Sequence, residues 1–114
     1  MTESLHDWTL KLPNVTTALH RLGGTEFRVH GVEFMHTHGT SRLDIRLSKQ
    51  DQDRILKEGK AERHRFVHHQ AGWVILGIRS EGDIEGAKEL IRLAYDNAEK
   101  DMANRVSMRV GKSG

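Results

Sequence analysis

The 114-residue chain has no cysteine, which excludes disulfides and thiolate metal sites and leaves the redox compartment open. Its one proline, Pro13, stands where the first helical spacing stops. The longest apolar run, Trp73 to Ile78, is far below the ~18 residues of a membrane span. Met1 to Pro13 carries Glu3, His6, Asp7 and Lys11 and no apolar leader core, so the expected location is cytoplasmic. An excess of either charge is also missing over most of the chain. Basic and acidic residues balance through Lys100, and the net +2 arises after it, where Arg105, Arg109 and Lys112 outnumber Asp101. Such a tail on a neutral domain is weak evidence for a nucleic-acid anchor.

What is present suits one soluble domain. A chain of this length buries roughly two-thirds of its unfolded surface, and 36% hydrophobic with 30% charged residues is ordinary for a globular fold. Leu5, Trp8 and Leu12 predict an amphipathic helix over 3–12. Val15 to Leu22 and Thr25 to Val29 read as strands around Gly23-Gly24, and His30-Gly31 reads as a second turn. Ser48 is a candidate N-cap for a surface helix over 49–58, with Gly59 ending it. Glu62 to Val67 reads as a polar edge strand, and Trp73 to Arg79 as a central strand covered on both faces. Ser80 to Asp83 opens the longest helix, whose stripe includes Ile84, Ala87, Ile91, Ala94, Tyr95 and Ala98. Gly86 within it suggests a close packing contact, and the Tyr95 hydroxyl is expected to reach solvent. The expected fold class is therefore α+β: a six-stranded, mostly antiparallel curved sheet with an N-terminal helix, one surface helix and a long C-terminal helix. Residues 1–100 form the domain, and 101–114 a basic tail expected to be disordered.

The chemistry gathers between Val32 and Ser48. Strand alternation places Val32, Phe34, His36 and His38 on one face and Glu33, Met35 and Thr37 on the other. After the turn at 39–41, Leu43, Ile45 and Leu47 share one face and Arg42, Asp44 and Arg46 the opposite one. Two imidazoles at i and i+2 lie ~7 Å apart, close enough to meet on one metal ion or one substrate. If a metal binds, His64, His68 or His69 could complete the set, and Asp44 could orient a ligating imidazole. The same pair also suits a purely structural hydrogen-bonded role, or a metal-free pocket in which one histidine is a base. Between two arginines, Asp44 reads first as part of a surface charge ladder, and it meets the histidines only if it turns inward.

Several separated motifs occur in fixed order: His-Arg-Leu-Gly-Gly-Thr-Glu-Phe-Arg (20–28), His-Thr-His-Gly (36–39), Leu-Asp-Ile (43–45), His64, Gly-Trp-Val (72–74), Arg-Ser-Glu-Gly-Asp (79–83) and Leu-Ala-Tyr-Asp (93–96). As a set, covering about Leu12 to Ala98, they resemble the small bacterial domains of the luciferase family, which share a domain with the luciferase of luminous fungi. The Trp-containing strand followed by a helix with a Tyr is more loosely similar to the MmcQ/YjbR-like double-wing fold. The first resemblance implies a site with His36, His38 and Asp44 as catalytic residues and His64 and Trp73 against a small organic ligand. It implies no bound cofactor, since the fungal enzyme oxygenates a hydroxylated α-pyrone with molecular oxygen. Where members often carry Gly before the first histidine, this chain has Met35. The double-wing likeness implies a nucleic-acid-binding module as the alternative, with Arg63, Arg65 and Arg79 on its face but no interleaved aromatics. No membrane partner is expected, and the sequence leaves oligomeric state open.

Overall fold

A tight turn joins β2 (Thr25–Val29) to β3 (Val32–His38). His30 (φ 53°) and Gly31 (φ 80°) both lie in the left-handed region, the geometry of a two-residue turn whose twist matches its flanking strands. The computed structural model describes the backbone of residues 2–19, 24–39, 41–63 and 72–113, with side chains over 4–19, 24–39, 41–63 and 72–101. The order is α1 (Thr2–Leu10), β1 (Val15–Leu19), β2 (Thr25–Val29), β3 (Val32–His38), β4 (Arg42–Arg46), α2 (Lys49–Lys57), β5 (Glu62–Arg63), β6 (Trp73–Gly77) and α3 (Gly82–Ser113). The strands form one six-stranded sheet in the order β1-β2-β3-β4-β6-β5, with every neighbouring pair antiparallel. The α+β class is as expected.

Directly opposed residues share a face, so the register sorts the sheet into two surfaces. Phe27 pairs with Met35, Met35 with Ile45, and Ile45 with Val74; all four are 0% exposed. This row packs in one core with Leu5 of α1, Ile55 of α2 and Leu90, Ile91 and Ala94 of α3. Glu26 pairs with His36, His36 with Asp44, and Asp44 with Ile75, a row on the opposite face.

A β-bulge breaks the simple alternation. The partner of Phe27 is Met35 but that of Arg28 is Glu33, so β3 carries one extra residue, Phe34. Phe34 turns to the core, edge-on to Tyr95 with ring centroids 5.9 Å apart. Val32, opposite the buried Val29, also packs on the core. The expectation that His36 and His38 continue the face of Val32 and Phe34 is therefore corrected: the bulge puts the histidines, with Glu33, on the other side.

The helices hold the sheet through specific ends. Ser48 accepts the Asp51 N–H at 3.1 Å, as its place predicts. At the other end of α2, Gly59 (φ 71°) donates to the Leu56 carbonyl and Lys60 to that of Ile55, the paired bonds of a Schellman cap. The buried Gln52 amide donates to the Trp73 carbonyl at 3.0 Å, tying α2 to β6. At the start of α3, Asp83 accepts from the Arg79 and Ser80 amides, so this cap is built by Asp83 reaching back. Tyr95 is buried and its hydroxyl donates to the Pro13 carbonyl at 2.7 Å. The expected solvent contact is replaced by a clamp between α3 and the turn that joins α1 to β1. Gly86 meets nothing within 4 Å of an added Cβ, so close packing does not explain it. The helix also runs on to Ser113, past the point where its periodicity fades, since no proline stands there to stop it.

Candidate functional site

β3 and β4 are joined so that His36 faces Asp44 and His38 faces Arg42. Asp44 is 0% exposed and takes polar contacts from His36, His38 and Arg42 among the described residues. Its Oδ2 accepts from His36 Nε2 at 3.0 Å and from Arg42 Nη2 at 3.2 Å, and lies 3.3 Å from His38 Nε2. Its Oδ1 accepts from Arg42 Nε at 3.0 Å. The charge-ladder reading of Asp44 is thus overturned. Its side chain shares the face of Arg42 and Arg46 as predicted, but that face is occupied by imidazoles that shut out water. A buried carboxylate needs such partners to stay ionised.

The other side of His36 meets a second carboxylate. His36 Nδ1 lies 3.2 Å from Glu33 Oε2, a contact that plain alternation forbids at a spacing of three and the bulge permits. Burial alone would lower the pKa of His36. The hydrogen bond to Asp44, then that to Glu33, and the charges of both acids override this and raise it from 6.5 to about 9. At neutral pH His36 is an imidazolium donating from both nitrogens.

Aromatic surfaces complete the arrangement. The His36 ring lies 4.7 Å from that of His38 at 76°, and 5.1 Å from that of Trp73 at 43°. Trp73 is 4% exposed yet stands outside the main core cluster, because its cross-strand partner is Arg46 on the histidine face. A charged imidazole over an indole gains cation–π attraction. His36, Glu33, Asp44 and Arg42 balance two positive against two negative charges. His38, with a side chain 26% exposed against 8% for His36, is the more accessible of the two.

Donor atoms of His36, His38 and Asp44 lie within 4.8 Å of one another, so one metal ion could span them. The bonding favours protons over a cation at this place. A metal would have to displace the proton between His36 and Asp44, and would lie against the Arg42 guanidinium already held by the same carboxylate. The third metal ligand considered above, His64, and the loop histidines His68 and His69 lie outside the described residues.

A luciferase-domain family model matches residues 31–94, more than half of the chain. The chain belongs to the luciferase-domain family. The comparison with curated proteins returned no match. The luciferase-domain match spans β3 to the first part of α3 and so contains His36, His38, Asp44 and Trp73 together with Glu33 and Arg42. Sequence reasoning passed over the last two. Arg42 was legible only as one rung of a charge ladder, and no turn residue announces the bulge that delivers Glu33 to His36.

Proposed function

We propose that this luciferase-family domain binds a small organic molecule bearing an acidic enol across the His36–His38–Trp73 face, and that His38 takes the enol proton. The supporting observation is the fully buried Asp44, which engages both histidines and Arg42 at once. A carboxylate on one ring nitrogen of a histidine orients the ring and stabilises its charged form, the requirement for a general base. With Nε2 facing Asp44, the His38 ring is oriented by the same carboxylate that engages His36. His36 acts as a positioning residue, since both its nitrogens are engaged with carboxylates and its proton is held well above neutral pH. An electron-rich enolate formed in this way can reduce molecular oxygen directly, with no bound cofactor, and the family name supports that outcome.

The test uses a 4-hydroxy-α-pyrone as probe, with binding followed by calorimetry and oxygen uptake by electrode. His38→Ala is expected to abolish proton uptake from the probe and any oxygen consumption, while thermal stability changes little because this side chain is partly exposed. Binding and turnover intact in His38→Ala, or a large stability loss with binding retained, makes the histidine pair structural. Elemental analysis of untagged protein supplies the second arm. A stoichiometric transition metal lost on His36→Ala/His38→Ala replaces the base mechanism with a metal-assisted one.

A further inference from the structure

Beside the histidine face, where β6 outruns its edge partner, a cleft of about 540 Å³ opens. β5 pairs only with Ile75 and Val74, so the outer edge of Leu76 and Gly77 has no strand neighbour among the described residues. Strand alternation turns the N–H and C=O of one of these two residues outward into that gap. Gly77 stands opposite Arg42 and has no side chain to fill the space between the strands. An added Cβ there would lie 3.9 Å from Arg79 Nε, so the Arg79 side chain folds across the bare glycine.

Three cations line this cleft: Arg42, Lys60 and Arg79. Arg42 is held by Asp44, and Lys60 by Glu58 and Glu89 at 3.3 and 3.4 Å. The Arg79 guanidinium has no carboxylate partner among the described residues; Asp83, which also lines the cleft, accepts from the Arg79 and Ser80 amides through Oδ2. Glu62 lies at the rim, exposed, and Ile75 and Leu76 give the cleft an apolar wall.

We infer that the cleft binds a small organic anion, its carboxylate or phosphate on Arg79 and Arg42 and its apolar body along Ile75, on the face of Asp44. Guanidinium groups suit either oxyanion through paired N–H donors. Ile75 is the cross-strand neighbour of Asp44, and Arg42 joins the cleft to Asp44 directly, so an anion seated here would extend toward His38. The inference rests on the reading of the His38 face as a ligand site and adds the charge of that ligand.

The experiment is an amide NMR titration of the full chain with benzoate and, separately, inorganic phosphate. Saturable shifts at Gly77 and Arg79, weakened at least tenfold by Arg79→Gln and unchanged by Lys49→Gln, support the cleft; the better-binding probe tells carboxylate from phosphate. Arg79→Lys should restore part of the affinity. Arg79 is exposed, and retained amide dispersion in the variant checks its fold. Shifts that fail to saturate, or that persist in folded Arg79→Gln, overturn the inference. His38→Ala separates the two proposals: it should leave anion binding at Gly77 and Arg79 intact while removing proton transfer from the pyrone probe.

Discussion

The two faces of the β3–β4 pair are held by different forces although their residues alternate along the same strands. Met35, Leu43 and Ile45 are 0% exposed and touch carbon, under α1 and α3. His36 and Asp44 are almost as deeply buried, but each is fixed by charge and hydrogen bonds. Dispersion and burial tolerate a changed shape if volume is kept. A buried charge network tolerates no missing member, since the remaining partners keep their desolvation cost. Both faces therefore contribute to the fold, one through apolar packing and the other through a closed set of charges.

The hardest blow to this contrast is Asp44→Ala. It leaves the His36 imidazolium and Arg42 uncompensated and is expected to cost about 3–5 kcal/mol in urea unfolding at neutral pH. A cost below about 1 kcal/mol would mean that the network contributes little to the fold. Ile45→Ala, one residue on and facing the core, is expected to cost about 2–5 kcal/mol by leaving a cavity.

Acidity then separates the two faces more sharply than magnitude does. His36 holds its proton more tightly folded than unfolded, so its contribution is fully present below pH 6.5, shrinks as pH rises, and is gone above about 9. Wild-type stability measured from pH 6 to 10 should carry this falling component. His36→Gln should flatten it, whereas Ile45→Ala should shift the curve down without changing its slope. Parallel curves for wild type and His36→Gln would refute the charged His36. The smallest expected effect lies outside both faces: Gly86→Ala, in open space within α3, should stabilise by about 0.5–1 kcal/mol, read as a higher melting temperature.

Most of the fold was legible because its signals are local. His30-Gly31, Ser48 and Gly59 each declare a turn or helix end through backbone chemistry that few residues share. The His36, His38, Asp44 and Trp73 grouping was legible from the family resemblance, whereas alternation alone set the histidines on the core face and Asp44 in a solvated ladder. The partners that set its chemistry were not. Glu33 reaches His36 through a register shift decided by how Phe34 packs on Tyr95, a contact between residues far apart in the chain. Arg42 and Asp44 have the spacing of a solvated ladder, and only the imidazoles across the strand pair make it dry. The Tyr95 hydroxyl was misplaced for the same reason, since its acceptor is Pro13 at the far end of the sequence.

The extra residue at Phe34 makes the site a matter of counting. Without the bulge, β3 at the same length would pair with β2 in unbroken alternation, setting Phe34 opposite Arg28 and Glu33 opposite Val29. Glu33 would then point into the hydrocarbon beneath α3, and His36 would lose one of its two carboxylates while every residue of the His-Thr-His motif stayed in place. Parity along a single strand, which no motif search records, thus sets whether one carboxylate or two hold the proton of His36.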